Sequence, residues 1–484
     1  MAEAQSNHAG PRAVQCAGSA TGGPEPCPTL RARRRRTGIL GPMRPLALLL
    51  VPLLAPLFTG ACSPAEERAP DSGSAPVLVL AVDGFEWNVI LPLLRAGEMP
   101  HLEELMERGT FGQLSTMMPN KSPRLWTTIA TGKPPSEHGI LDFLKPTEEP
   151  GSGAQHFTSR DRRTKAFWNV LSDAGVSNDT IGWWVTYPVE EVLGTMVAQT
   201  NTTQSYGIKK GHLEAGLPHQ VWPPEFEARV FAALGESHDS VEARMEEIFG
   251  TRPEDLRPRL KKLWKQCEWT FRADSTYAAV LRARLAEGPP ARVTSIFMGG
   301  TDVVGHRFWP AFEPETADPR PDPEEVAAFR HVIPAYYRYA DKVIGELTSL
   351  YPADTTVIVI ADHGMRAGGH GGEDAGVFLA AGPGIRDAPP FDPQTLDKAT
   401  LPMLGRLADF CPTLLSLVDV PFGEDMLGRP IEALFTPEFQ TAHPARSVPT
   451  HDDAEWLSTR GEEFEFEDAE RVEQLRELGY LGDE

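Results

Sequence analysis

Six side chains in this sequence have the chemistry of ligands for a divalent metal ion: Asp83, Asp302, His306, Asp362, His363 and His370. Carboxylate oxygens and imidazole nitrogens are both good ligands for Zn²⁺. Asp302 and His306 are four residues apart, so a helix would place both on one face. Asp362 and His363 are adjacent, and at a strand end they would diverge to opposite sides. The spacing therefore favours a metal site assembled from several chain segments.

Each of these residues also has an ordinary structural interpretation. An Asp that follows a strand is commonly a turn residue or a helix cap. His370 lies between two glycine pairs, at 368–369 and 371–372, and glycine permits the tight loop that would return His370 to a shared site. Because six suitable residues occur together, we favour metal binding over six unrelated structural roles.

Ser122 is the candidate nucleophile, and it is followed directly by Pro123. Proline is common in the first turn of a helix, so the Ser122 hydroxyl would lie at a helix N-terminus, where backbone N–H groups favour a phosphoryl anion. A helix-capping serine is the alternative. Lys121 and Arg124 are the candidate substrate-binding residues, since a guanidinium pairs well with phosphate oxygens. A surface ion pair is the alternative for Arg124.

The segments that would position these side chains alternate between strand and helix patterns. The continuous apolar run at 77–82 and the mainly apolar runs at 293–298 and 356–361 are typical of strands buried on both faces, and each leads to a candidate Asp. A further run at 377–381 ends in a glycine turn, and helical patterns lie between the runs. The sequence therefore predicts an α/β fold with a doubly wound, mostly parallel central sheet flanked by helices. Ligands bind beyond the carboxyl ends of such strands, where the three Asp residues would meet.

The segment boundaries follow from composition. We expect a catalytic domain over residues 76–440, with a mostly helical insertion at about 188–290 that lacks clear strand signals. Residues 441–484 form a C-terminal tail, in which 467–481 has the pattern of an acidic amphipathic helix.

The N-terminal segment has the features of a targeting signal. Residues 43–61 combine a basic start, a short apolar run and small residues before Cys62, a pattern that resembles a bacterial lipoprotein signal. Cys62 would then carry a lipid anchor, residues 62–75 would be a linker, and the protein would be extracytoplasmic and membrane-attached. A retained membrane anchor is the alternative. Residues 1–42 have no pattern of a folded segment, and we interpret them as a non-structural upstream segment.

The net charge restricts the partners. The formal net charge of the 484-residue chain is -22 at pH 7, so its surface repels polyanions, and nucleic-acid polymers are excluded as expected partners. Cys267 and Cys411 are too far apart in the sequence to indicate a CxxC metal site, and we expect buried thiols.

The order of the motifs resembles that of type I phosphodiesterases and nucleotide pyrophosphatases of the alkaline phosphatase superfamily. The resemblance covers about residues 76–435 and rests on Asp83-Gly84, the block from Lys121-Ser122 to Thr131-Gly132, the block that begins Pro135-Ser136-Glu137-His138, Asp302 with His306, Asp362-His363-Gly364-Met365, and His370 followed by Gly382-Pro383-Gly384. The resemblance implies an alkaline phosphatase-like fold.

The resemblance also implies roles for the candidate residues. Two divalent ions are expected, with zinc as the best match. Asp83, Ser122, Asp362 and His363 would surround one ion, and Asp302, His306 and His370 would bind the other. Leu125 stands where the family has an Asn that helps to bind phosphate, and we hypothesise that Arg124 takes over this role.

The function implied is hydrolysis of phosphodiester or pyrophosphate bonds in a small phosphorylated substrate, through a phosphoseryl intermediate on Ser122. A phosphomonoesterase or a phosphoryl-group transferase with the same site is one alternative. A non-catalytic ligand-binding lipoprotein on the same scaffold is the other. The substrate itself is not indicated by the sequence.

Overall fold

The computed structural model describes residues 75–145, 156–199, 218–238, 240–370, 372 and 374–460. The predicted signal segment at 43–61, Cys62, the linker up to residue 74 and the acidic helix at 467–481 lie outside these residues. Within the described part of the chain, no helix is both long enough and apolar enough to cross a membrane.

A nine-stranded sheet forms the centre of the described residues, in the strand order β5-β4-β3-β6-β1-β7-β8-β2-β9. Its strands are β1 Val77–Val82, β2 Gly109–Ser115, β3 Asn178–Ile181, β4 Gly194–Val197, β5 Val221–Trp222, β6 Val293–Met298, β7 Thr356–Ile360, β8 Gly376–Ala381 and β9 Met403–Arg406. The pairings from β4 through β3, β6 and β1 to β7 are all parallel. Strand β8 runs antiparallel between β7 and β2, and β5 runs antiparallel to β4. The predicted fold class is confirmed.

Helices connect and flank these strands. They are α1 Trp87–Arg95, α2 Pro100–Glu107, α3 Ser122–Thr131, α4 Pro135–His138, α5 Phe167–Asp173, α6 Glu227–His238, α7 Val241–Phe249, α8 Pro258–Gln266, α9 Glu268–Glu287, α10 Gly300–Phe312, α11 Pro323–Phe329, α12 Val332–Thr348, α13 Phe410–Leu417, α14 Pro437–Ala442 and α15 Ala454–Ser458. Short 3-10 turns cover Ser159–Asp161, Pro224–Phe226, Pro253–Asp255, Lys398–Thr400, Leu407–Asp409 and Glu432–Leu434. Two further short strands, β10 Phe422–Gly423 and β11 Ser447–Val448, pair with each other in a separate two-stranded sheet.

The central strands are buried because helices cover the sheet. Every residue of β1, β6 and β7 is buried, which explains why their sequences are mainly apolar and do not alternate, with Thr294, Ser295 and Thr356 as the polar exceptions. Helix α9 packs on β3 and β6, and α12 packs on α1, α2 and α10.

Among the described residues of the region from 188 to 290, two strands occur that the sequence did not indicate. The structure places β4 and β5 at the start of this region, where they extend the central sheet, and the four helices α6 to α9 follow. Strand β4 has four residues and β5 has two, so neither is long enough to show a recognisable strand period. The limits of the insertion and of the catalytic domain stay predictions.

Gly182 allows α9 to pack closely against the end of β3. Its φ is +73°, and a Cβ at this position would lie 2.3 Å from the ring of Tyr277 on α9. Gly175 has the same φ of +73°, but a Cβ there would meet no atom within 4 Å among the described residues. The two glycines therefore differ in packing and share the backbone conformation.

We predict that Gly182→Ala destabilises the protein more than Gly175→Ala does. Both substitutions place a side chain in the left-handed region, at a cost of about 1–2 kcal/mol, and only Gly182→Ala adds overpacking of about 1–3 kcal/mol. Denaturant unfolding of the two variants measures the difference. Equal losses in the free energy of unfolding would contradict the close approach of Tyr277.

Candidate metal centre

The three candidate Asp residues meet at the carboxyl ends of three neighbouring strands. Strand β1 lies between β6 and β7, and in the register Ala81 is opposite Phe297 on one side and Ile360 on the other. Asp83 follows β1, Asp362 follows β7, and Asp302 lies in the first turn of α10, just after β6. All three carboxylates are buried. The edge of the sheet predicted for the site is thus the one at which these residues converge.

Asp302, His306 and His370 form the first group of candidate ligands. One potential ligand atom from each lies within 4.8 Å of the others. His306 Nε2 is 3.5 Å from Asp302 Oδ1, as expected for residues one helical turn apart, and His370 Nε2 is 3.8 Å from the same oxygen. The glycine-rich loop brings His370 here as predicted, because Gly369 adopts a φ of +91° and a Cβ there would approach His306 Cε1 to 3.1 Å.

Asp83, Asp302 and His363 form the second group, again with ligand atoms within 4.8 Å of one another. His363 Nε2 lies 3.4 Å from Asp83 Oδ1 and 3.9 Å from Asp302 Oδ1. Asp362 joins them, with Oδ2 3.5 Å from the same nitrogen. The six predicted ligands are therefore in one place, and Asp302 Oδ1 belongs to both groups.

The orientation of His363 is fixed by its other ring nitrogen. His363 Nδ1 is 2.9 Å from the carbonyl oxygen of Gly364, which can only accept, so Nδ1 carries the proton. Nε2 then presents a lone pair to the carboxylates. The ring also stacks on His370, with centroids 4.0 Å apart. A histidine held in this way is preorganised as a metal ligand.

Burial makes this cluster electrostatically unfavourable without a positive charge. Burial raises the pKa of Asp83 and Asp302, and the charges of neighbouring carboxylates raise it further. Burial likewise raises the pKa of Asp362 to about 7 and lowers that of His306 to about 3. A divalent cation reverses this balance, because it stabilises the carboxylate anions and binds neutral imidazole.

Ser122 begins α3, and its side chain is buried close to the same cluster. Trp126, one turn further along α3, donates from Nε1 to Asp83 Oδ2 at 3.1 Å. Asn120 Nδ2 donates to the carbonyl oxygen of Gly372 at 3.3 Å, which ties the start of α3 to the loop that carries His370. Ser122 is 1% exposed, and its Oγ has no hydrogen-bond partner in the part of the chain that the structure describes.

The other candidates near Ser122 are placed as follows. Lys121 Nζ lies over the Phe143 ring, 5.9 Å from its centroid. Arg124 is half-buried and donates from Nη2 to the Met118 carbonyl oxygen at 3.2 Å, and burial lowers its pKa. Leu125 is fully buried. The structure thus leaves Arg124, and not Leu125, partly accessible beside Ser122.

The sequence did not indicate the residues that hydrogen-bond to the segments carrying the candidate ligands and hold them in position. Asp274 on α9 accepts hydrogen bonds from the backbone N–H groups of Gly299 and Gly300, at 2.9 and 3.1 Å, and from Tyr336 at 2.7 Å. It therefore fixes the start of α10, two residues before Asp302. The only available signal was an Asp inside a long helix that the sequence assigned to an insertion.

Glu86 is a second support that the sequence did not indicate. Its buried carboxylate accepts from the Met365 N–H at 2.9 Å and forms an ion pair with Lys398 at 2.7 Å. Its own N–H donates to Tyr337 at 3.1 Å. Glu86 thus connects the segment after Asp83 with the segment after His363.

The residues fit a divalent-metal centre. Asp83 Oδ1, Asp362 Oδ2 and His363 Nε2 are buried and have no hydrogen-bond partner among the described residues, although all three point at one another. Such atoms are costly to bury unless a ligand satisfies them. A doubly wound sheet with a buried Asp/His cluster at its strand ends therefore provides a site that could hold a divalent ion.

A family comparison identifies the class more closely. The model of the type I phosphodiesterase/nucleotide pyrophosphatase family matches residues 77–378, more than half of the chain. The chain belongs to this family, and the resemblance inferred from the order of the motifs is confirmed.

Three solved structures that are similar to this chain are a phosphonoacetate hydrolase, an ectonucleotide pyrophosphatase/phosphodiesterase and an alkaline phosphatase. Phosphonoacetate hydrolase from Sinorhizobium meliloti 1021, in complex with phosphonoformate, is 18% identical, with a TM-score of 0.37 over 60% of this chain and 56% of that one. Murine ectonucleotide pyrophosphatase/phosphodiesterase 5 is 12% identical, with a TM-score of 0.39 over 73% and 96%. Alkaline phosphatase PafA is 12% identical, with a TM-score of 0.48 over 75% and 100%. The chain thus covers little more than half the length of the phosphonoacetate hydrolase chain that it matches.

Proposed function

We propose that this protein is a metal-dependent hydrolase that cleaves phosphodiester or pyrophosphate bonds through a phosphoseryl intermediate on Ser122. The observation that carries the proposal is the convergence of the two Asp/His groups beside the buried start of α3. Membership of the type I phosphodiesterase/nucleotide pyrophosphatase family supports a phosphoester hydrolase. The nucleophile and the substrate class are the parts that we infer.

The proposed reaction has two displacements at phosphorus. The Ser122 hydroxyl loses its proton to solvent as its oxygen bonds to phosphorus, and the bond from phosphorus to the leaving oxygen breaks as that oxygen takes up a proton from solvent. Water then attacks the phosphorus of the phosphoseryl group and loses a proton, the bond from phosphorus to the serine oxygen breaks, and the serine regains its proton while the phosphorylated product leaves. Because Ser122 is the first residue of α3, the free backbone N–H groups of that helix turn favour the charge on the phosphoryl oxygens. Trp126 and Asn120 keep this helix start against Asp83 and the His370 loop.

We assign the predicted ligands to two divalent ions, with zinc as the first choice. Asp83, Ser122, Asp362 and His363 would surround one ion, and Asp302, His306 and His370 would bind the second. Nitrogen and oxygen donors of this kind suit Zn²⁺. When bound, the ions supply Lewis-acid stabilisation of the serine oxygen and of the leaving oxygen.

Arg124 and Lys121 are proposed to bind the substrate phosphate. Both flank Ser122, and each side chain is positioned by a contact, to Met118 and Phe143 respectively. Their positive charges would help an acidic protein to bind a small anion. A phosphomonoesterase or a phosphoryl-group transferase would use the same residues and differ only in the substrate or the acceptor.

We predict that an aryl phosphodiester is hydrolysed faster than the matching monoester, and that Ser122→Ala lowers the rate at least about a hundredfold, because the nucleophile is removed. Steady-state hydrolysis of both esters, with zinc added, provides the measurement. Ser416→Ala, which alters a buried serine on α13, is the matched control and should keep the wild-type rate.

The outcomes separate the candidate functions. Equal rates for the wild type and Ser122→Ala would refute the assigned nucleophile. A faster monoester reaction would favour the phosphomonoesterase, and transfer to an added alcohol in place of water would favour the transferase. No turnover of any ester by a zinc-loaded protein would favour the ligand-binding alternative.

We predict that chelation of divalent ions lowers the thermal unfolding midpoint and that added zinc restores it. Binding to the folded state alone stabilises by about 2.7 kcal/mol when the free ion is at about 100 times its Kd. Asp302→Ala should abolish the zinc response, because its Oδ1 belongs to both ligand groups. Asp341→Asn alters a buried carboxylate that accepts from His101 and Leu102, and it should keep the response. If the thermal unfolding midpoint of the wild type is the same with and without zinc, the metal assignment is wrong.

We also propose that the protein is held on the extracytoplasmic side of a membrane by a lipid on Cys62. The proposal is supported by the residues before Cys62 in the sequence. In a bacterial host, the wild type is expected to begin at a lipidated Cys62 and to partition into detergent, whereas Cys62→Ser should lack the lipid. Mass spectrometry of the mature N-terminus tests this, and an uncleaved wild-type chain would instead indicate the retained anchor.

A further inference from the structure

A cavity of about 830 Å³ lies among helices α6, α7, α9 and α12. Small-molecule sites are commonly about 300–1,000 Å³ in volume. In the described chain, the residues that line this cavity include none of the metal-ligand candidates. The cavity is therefore separate from the proposed active site, and the metal centre does not explain it.

Alanine side chains form the floor of the cavity. Ala279 and Ala283 are one turn apart on α9, and further alanines come from α6 and α12. Alanine is too short to fill the space between these helices, so the floor is apolar and open. An alkyl chain or a ring bound there would remove this apolar surface from water, which favours binding.

The rim of the cavity carries five basic and three acidic residues: Arg229, Arg244, Arg282, Arg338 and Lys342 with Glu247, Glu287 and Glu346. Three of the arginines are neutralised by ion pairs. Arg229 pairs with Glu287 at 3.0 Å, Arg282 with Glu346 at 2.8 Å, and Arg338 with Glu98 at 2.7 Å.

Arg244 is held in place by neutral groups. Its guanidinium donates to the hydroxyls of Ser275 and Ser240 and lies 5.3 Å from the centroid of the Tyr339 ring. Within the described residues, neither Arg244 nor Lys342, one turn after Tyr339 on α12, forms an ion pair. Glu247 is exposed, so water screens its charge. The rim thus keeps two positive charges, Arg244 and Lys342, against the one negative charge of Glu247, in a chain with a net charge of -22.

We propose that this cavity is a second ligand site, which binds a small amphipathic anion. A carboxylate or phosphonate head would lie at Arg244 and Lys342, and the apolar chain would lie on Ala279 and Ala283. A guanidinium fixed by Ser275 and Tyr339 loses little freedom when it binds a planar carboxylate. The site does not depend on the hydrolase function, because no metal ligand contributes to it.

Calorimetric titration of the zinc-loaded full chain with decanoate, decylphosphonate and neutral decanol tests the proposal. One decanoate or decylphosphonate is expected per chain, and decanol should bind at least about tenfold more weakly, a difference of about 1.4 kcal/mol. Comparison of the two anions identifies the preferred head group. Equal affinity for decanol and decanoate would contradict the role of the two cations.

Three variants locate the site. Arg244→Gln removes the charged donor and Ala279→Leu fills the floor, so each should weaken decanoate binding at least about tenfold. Arg282→Gln removes a rim arginine that Glu346 already neutralises and should leave the affinity within about threefold. Thermal unfolding shows whether each variant is folded. If Arg244→Gln does not fold, the binding result for Ala279→Leu decides the test. Wild-type binding by both Arg244→Gln and Ala279→Leu, or no binding of either anion at about 1 mM, overturns the proposal.

Discussion

The concentration of negative charge at the carboxyl ends of β1, β6 and β7 is the constraint on which this structure depends. His363 Nε2 lies within 3.9 Å of oxygens from all three of Asp83, Asp302 and Asp362. Burial and mutual repulsion both oppose ionisation of these carboxylates. Such a cluster is compatible with a stable fold when cations or protons compensate it, and the neutral imidazoles around it favour cations.

The scaffold holds these groups together through residues that are not ligands themselves. Asp274 fixes the start of α10 through two backbone N–H groups, and Glu86 joins the segments after β1 and β7. Tyr337 adds a donor to the carbonyl oxygen of Gly84 at 3.2 Å. Helices α9 and α12 therefore serve the centre as well as the core. A ligand shell supported in this way keeps its geometry before any cation binds.

The sequence was sufficient for the fold class and for placing the six candidate ligands together, because buried parallel strands give mainly apolar runs and a candidate Asp follows each run within four residues. It did not indicate β2, β3 and β9, and it was not sufficient for β4 and β5, which are shorter than any detectable period. Asp274 and Trp126 were also missed, since a buried partner far along the chain leaves no local pattern. Sequence patterns show the relation between residues that are close in the chain. The contacts that support the site join segments that are far apart in the chain, so no such pattern reveals them.

The position of Asp302 Oδ1 has a consequence for how the centre fills. This oxygen is 3.5 Å from His306 Nε2 and 3.9 Å from His363 Nε2, so it lies between the two ligand groups. If two cations bind as proposed, a first cation that draws the carboxylate toward one group would alter the coordination left for the second. The two occupancies would then be thermodynamically linked, and a titration would depart from two independent, identical sites.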